Sequence, residues 1–123
     1  MPESVRDQLM KDLSCSHVLD CLYDLKSVDK RCYKYLNECT ETVGVEHLSD
    51  EFDRDQSTIH RSLDRLRDCG MVEREKETYA EGGYKFFYKA REPEDISSDM
   101  NELLDEWYDT IDQLIYEFEE EFE

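Results

Sequence analysis

At 123 residues the chain is sized for one domain, and 38% hydrophobic against 39% charged residues leaves only a thin core. No apolar run reaches the roughly 18–20 residues of a membrane span, and the start Met1-Pro2-Glu3-Ser4-Val5-Arg6-Asp7 lacks a signal pattern, so a cytoplasmic setting without membrane contact is expected. Thirty-three acidic and fifteen basic residues give a net charge of −18. Either such a protein repels nucleic acid and serves a basic partner, or it works in a salt-filled cytoplasm. Only seven of the basic residues are lysine, and molar salt screens carboxylate repulsion, which favours the halophilic reading.

The first dozen residues give at best a short amphipathic helix, with Val5, Leu9, Met10 and Leu13 on one side. Ser14 is a candidate N-cap for a helix over Cys15–Leu25, where Val18, Leu19, Leu22 and Leu25 recur at helical spacing. Ser27 opens the next helix, from Val28 to about Cys39, striped by Cys32, Tyr35, Leu36 and Cys39. After a break at Thr40-Glu41-Thr42, two helices follow in quick succession. One runs from Gly44 or Val45 to Phe52, the other from about Arg54 to Cys69.

Asp53 with Gln56 three residues on resembles a capping box, and Gly70 is the glycine expected just past a helix end. Ile59, Leu63 and Leu66 make the core face of this last helix. Gln56, Ser57, His60 and Arg61 lie opposite. Helix, tight turn and helix with an outward polar and basic face is the layout of a helix-turn-helix.

Past Gly70 the period changes to two. Met71-Val72-Glu73-Arg74-Glu75 leads into a strand, Glu81-Gly82-Gly83 is a turn, and Tyr84-Lys85-Phe86-Phe87-Tyr88-Lys89 alternates again. This hairpin is a wing. Tyr84, Phe86 and Tyr88 share one face and read as core and hairpin packing rather than a nucleotide-stacking platform, with Lys85 and Lys89 on the other face.

From Pro93 the pattern is helical to the end, with Ile96, Met100, Leu103, Trp107, Ile111, Leu114, Phe118 and Phe122 spaced 4-3-4-4-3-4-4. An eleven-residue repeat gives a nearly straight or slightly right-handed seam. A helix this long exposes more apolar surface than so small a domain covers, so a homodimer through Ile96, Met100, Leu103, Trp107, Ile111, Leu114 and Phe118 is expected. The fold class is thus mostly α with a small β-hairpin. A winged helix-turn-helix with N-terminal helices spans 1–91, and an acidic C-terminal dimerisation helix spans 92–123.

Charge is unevenly placed along these elements. Residues 1–53 carry a net −6 and residues 92–123 a net −14 with no base at all, whereas Arg54–Arg91 carries +2. One segment escapes the acidification, as an anion-binding surface requires.

The run Leu25-Lys-Ser-Val-Asp29, then Asp55-Gln-Ser-Thr-Ile-His-Arg-Ser-Leu-Asp-Arg-Leu66 and Cys69-Gly-Met-Val72, resembles the TrmB-like winged-helix transcriptional regulators of archaea. Gly82-Gly-Tyr-Lys-Phe-Phe-Tyr88 and Trp107-Tyr108 look like the short, single-domain haloarchaeal members. The likeness covers about Leu19 to the C-terminus. It implies a double-stranded DNA partner, no small-molecule ligand domain, and a redox-responsive role of the kind some such relatives resemble.

Within this frame Arg61 and Gln56 have donor geometry for guanine and adenine edges, with Ser57 and His60 beside them. Arg54, Thr58 and Arg65 suit phosphates. In the wing, Lys85 and the Gly82-Gly83 turn approach the backbone or minor groove, Lys76 is an alternative on the opposite strand, and Arg74 either takes the phosphate role seen in related wings or pairs with Glu73 or Glu75. No catalytic set, cofactor or metal site is expected, because no phosphate-binding Gly loop, defensible Ser-His-Asp spacing or paired zinc-type cysteines are present. Of five cysteines, Cys15 at a helix start and Cys21 shortly after it are the redox candidates. The competing function is a non-DNA-binding acidic interaction module or a DNA-mimicking antagonist. The near-neutral Arg54–Arg91 segment speaks for DNA.

Overall fold

A computed structural model of the protein describes residues 19–20 and 22–123. The expected first helix, Cys15 and Cys21 lie outside the described residues. The chain divides into two compact units, one ending at Ala90 and the other spanning Arg91–Glu123.

The first unit contains α1 (Ser27–Glu38), β1 (Val43–Gly44), α2 (Val45–Phe52), α3 (Gln56–Asp68), β2 (Val72–Thr78) and β3 (Tyr84–Ala90). The strands form an antiparallel sheet in the order β1-β3-β2. It is a winged helix-turn-helix with a three-stranded wing. Sequence periodicity yields the hairpin but not β1, because two residues are too few to show alternation. Val43 pairs with Tyr88 and Gly44 with Phe87.

The core follows the helical stripes. Cys32 and Leu36 of α1, Val45 and Leu48 of α2, and Ile59, Leu63 and Leu66 of α3 are buried with Met71, Val72, Tyr88 and Ala90. Burying each large side chain contributes about 1.5–3 kcal/mol, which offsets the ordering of so small a chain.

Among the described residues, one charged group enters this core. Asp29 is 0% exposed and accepts from the Ser62 hydroxyl at 2.6 Å, from Arg65 Nε and Nη2 at 2.8 Å each, and from the Lys26 amide at 2.9 Å. The Lys26 contact also caps the start of α1. Four donors and a full opposite charge are what a buried carboxylate needs.

α3 ends in a paired hydrogen-bond motif, Met71 N–H to Leu66 C=O at 2.9 Å and Gly70 N–H to Arg67 C=O at 3.0 Å. Gly70 has φ +77°, the left-handed geometry that favours glycine at this position. The buried Met71 closes the motif and directs the chain into β2.

The second unit is α4 (Pro93–Glu121), 29 residues or about 44 Å long, with Pro93 in its first turn. Glu94 and Asp95 favour its N-terminus through the helix dipole, while Glu119, Glu120 and Glu121 oppose it at the other end. Ile96 is 4% exposed within the single chain. It was expected in the intersubunit seam, but a side chain already buried has no surface left to offer a second copy. The exposed stripe begins farther on, at Leu103, and continues through Trp107, Ile111, Leu114 and Phe118. Met100 is half-buried.

Candidate nucleic-acid interface

α2 and α3 are joined by Asp53-Arg54-Asp55. Asp53 takes the left-handed conformation, φ 51° and ψ 49°, which Asp tolerates better than most residues. The turn is held by the Arg54 amide donating to Ser49 C=O at 3.1 Å and by the Ser49 hydroxyl donating back to Arg54 C=O. Asp53 therefore closes α2. It does not start α3, as the capping-box pattern suggests.

The cap of α3 is Asp55. Its carboxylate accepts from the Thr58 amide at 3.2 Å and the Ser57 hydroxyl at 3.0 Å. Hydrogen bonds from Thr58 first, then Ser57, hold the Asp55 carboxyl below the usual range. Two consequences follow for the expected site. Ser57 and Thr58 are engaged in the cap, and an acid already occupies the helix N-terminus that a phosphate would seek.

The outward face of α3 is left to Gln56, His60 and Arg61, all exposed, with Arg54 beside them on the turn. Arg61 Nη2 donates to Thr58 Oγ1 at 3.4 Å, which leans the guanidinium toward the helix start. Arg65, expected on phosphate, has its Nε and Nη2 on Asp29 instead. Sequence spacing cannot see that partner, which lies 36 residues away.

The wing places its basic residues on two different faces. Arg74 lies across from Tyr88 and Lys76 from Phe86, while Lys85 lies across from Glu77. Arg74 Cζ sits 3.9 Å from the centre of the Phe86 ring and Lys76 Nζ 4.1 Å from that of Tyr84. Lys85 Nζ instead approaches Glu46 of α2 at 3.6 Å. Of the three aromatic residues read as packing, Tyr88 is buried but Tyr84 is 56% exposed. Tyr84 packs edge to face on Phe86 within the hairpin, with ring centres 5.2 Å apart, but is not part of the core, because the hairpin outruns the core beneath it. Gly82 and Gly83, with φ +98° and +85°, make the turn, and no atom lies within 4 Å of where their side chains would be.

α3 and the wing meet in a cleft of about 200 Å³ lined by Val45, Glu46, Gln56, His60, Tyr84, Lys85 and Phe86. Gln56 and His60 are thereby brought against the wing. Arg61 does not line this cleft, nor do Arg74 and Lys76.

Known proteins share this architecture. A possible transcriptional regulator from Methanosarcina mazei superposes with a TM-score of 0.75 at 26% identity, covering 87% of this chain and 90% of that one. The ST1889 protein of the archaeon Sulfolobus tokodaii has the same fold, with a TM-score of 0.62 at 21% identity over 78% of this chain and 93% of its own. An uncharacterized protein of Methanocaldococcus jannaschii is 31% identical over 111 residues, 90% of this chain and 91% of that protein. The family described as the sugar-specific transcriptional regulator TrmB matches residues 19–94. With that match lying on the helix-turn-helix and wing just described, the chain belongs to the TrmB family of winged-helix transcriptional regulators.

Proposed function

We propose that this chain is a sequence-specific DNA-binding transcription regulator that works as a homodimer. One observation carries the reading: Gln56, His60 and Arg61 stand exposed on α3, opposite its buried Ile59, Leu63 and Leu66, in the stretch Arg54–Arg91 that carries a net +2 in a chain of net −18. In a helix-turn-helix that face enters the major groove, where Arg61 suits guanine and Gln56 adenine. Arg54 is a phosphate contact at the helix entrance.

Two copies joined through the exposed stripe of α4 would set two such helices on successive major grooves, about 34 Å apart. Oxidant sensing through Cys15 and Cys21 is part of the same proposal. Burial pushes the Cys32 and Cys69 thiols up in pKa, which makes both poor nucleophiles and leaves the sensing role to other cysteines.

The test is selection of bound sequences from a random duplex pool at high salt, followed by Arg61→Ala. The variant should lose about 1–3 kcal/mol of specific binding and relax its preference at one or two base pairs. Unchanged affinity and preference would refute the α3 assignment. Failure of the wild type to enrich any sequence would favour the acidic interaction module instead.

A further inference from the structure

A groove opens in the first unit where α1 ends and α2 begins. It encloses about 580 Å³ between the last turn of α1, residues 39–42, β1, His47 of α2 and Phe87 of β3. That volume is within the range of small-molecule sites. None of the DNA-contact residues proposed above lines it.

The chemistry of this groove is one-sided. Glu38 and Glu41 line it and are exposed, and among the described residues neither has an ion-pair partner. α1 carries no basic residue in its last turn, so the negative end of the helix dipole adds to the two carboxylates. No lysine or arginine is among the lining residues. Partial burial first, and then the charge of Glu51, push the Tyr35 phenol up in pKa, as a negative local field does.

Tyr35 is the ring that a cation entering the groove would meet. Its hydroxyl and His47 Nε2 are hydrogen bonded at 2.6 Å, and Phe52 packs edge-on against it with ring centres 5.6 Å apart. Gripped from two sides, the ring is fixed before any ligand arrives, which lowers the cost of binding. The neighbouring rings are covered by the chain's own cations, Phe52 by Arg31 at 5.2 Å and Phe87 by Lys85 at 5.6 Å. Among the described residues no cation lies over Tyr35. A fixed and uncovered ring beside unpaired carboxylates suits an organic ammonium ion. A bare metal ion fits poorly, since no three His, Cys, Asp or Glu side chains among the described residues are grouped to ligate one.

We propose that this groove binds a linear polyamine, with one ammonium group over Tyr35, others paired to Glu38 and Glu41, and the methylene chain against Phe87. More than one ammonium is called for because the ring and the two carboxylates each attract a positive charge. Gly44 is buried at the base of the groove, where β1 passes directly into α2. A Cβ there would lie 3.4 Å from the Lys85 side chain and 3.6 Å from the Phe87 ring, so glycine leaves this space open. An occupant touches His47 on the first helix of the helix-turn-helix and Phe87 on the strand of the wing. The site itself does not depend on the DNA-binding reading.

Spermidine titrated calorimetrically into the full chain, without DNA, tests the site. In about 1 M potassium chloride the screening length is about 3 Å, which suppresses diffuse attraction to the fourteen acids of residues 92–123. One saturable event per chain is expected. Glu38→Gln with Glu41→Gln should weaken it at least about ten-fold. Glu119→Gln with Glu120→Gln removes the same charge from α4 and should stay within about two-fold of wild type. Tyr35→Leu should lose at least about five-fold, whereas Tyr35→Phe, which keeps the ring, should stay within about two-fold. All four glutamates are exposed, so the two double variants decide the matter even if Tyr35→Leu fails to fold. Magnesium chloride in excess should not displace the polyamine, because a strongly hydrated ion gains little from a ring.

Equal losses in the two double variants, or displacement by magnesium, would overturn the site in favour of diffuse charge. Absence of a saturable event in the wild type would overturn it outright. With no duplex in the experiment, each of these results leaves the DNA-binding reading standing.

Discussion

Arg65 closes a two-pronged ion pair on Asp29, with Nε and Nη2 each 2.8 Å from a different carboxylate oxygen. The pair ties α1 to α3, and its members are unequally buried, 0% exposed for the Asp29 side chain and 30% for that of Arg65. Removing the arginine strands a charge that water cannot reach, whereas removing the aspartate leaves one that can still be hydrated. Arg65→Met should therefore cost about 3–5 kcal/mol. The double variant Asp29→Leu with Arg65→Met should be the more stable of the two, because it leaves no orphan. Urea unfolding decides it: additive losses in the double variant would refute the coupling.

Acid should act through the same carboxylate. Burial alone pushes the Asp29 carboxyl up, but hydrogen bonds from Arg65, Ser62 and the Lys26 amide, with the charge of Arg65, outweigh it and hold the group below its ordinary value. A depressed folded pKa stabilises fully above the unfolded value of about 3.9 and is lost as pH falls through the folded one. Protonation elsewhere relieves repulsion among the other acids, so the comparison with Asp29→Asn isolates the effect. The gap in stability between wild type and variant should be constant near neutrality and shrink below about pH 4. A gap independent of pH down to that range and beyond would refute it.

Asp53 and Asp55 make opposite demands on the backbone. Asp55→Ala removes the side chain that accepts the Thr58 amide and should lower the melting temperature. Asp53→Gly should raise it or leave it unchanged, since glycine adopts φ 51° without penalty. If Asp53→Gly proves the more damaging, Asp53 is holding α3 after all.

The exposed stripe of α4 should make self-association depend on salt. Trp107 is 61% exposed, and Leu103, Ile111, Leu114 and Phe118 are open along with it. Fourteen acids and no base over residues 92–123 repel a second copy until salt shortens the screening length from about 10 Å at 0.1 M to about 3 Å at 1 M. Trp107→Glu should raise the dimer dissociation constant more than about ten-fold in high salt. Sedimentation equilibrium would show it. A wild type that remains monomeric at all salt concentrations would rule out this interface.

What the sequence determined by itself is whatever acts within a few residues. The stripe Ile59, Leu63 and Leu66, the glycine after Cys69, the change of period past Met71 and the Gly82-Gly83 turn each follow from one turn of helix or one pleat of strand, and the structure has them in those places. The alternation of β2 is equally visible in the letters. Which of its faces looks toward α3 is not, because that depends on where Tyr88 and Val72 are buried. The choice between Asp53 and Asp55 as cap was open for a similar reason, since either satisfies the local pattern until the end of α2 is known. β1 is too short to have a period and exists through its partner β3. Arg65 reads as one more base on a basic helix, and only packing α1 against α3 brings it to Asp29, where desolvation makes the pair obligatory. Local chemistry thus settled the elements of this protein. Their packing settled which charges are structural and which are left facing outward for a partner.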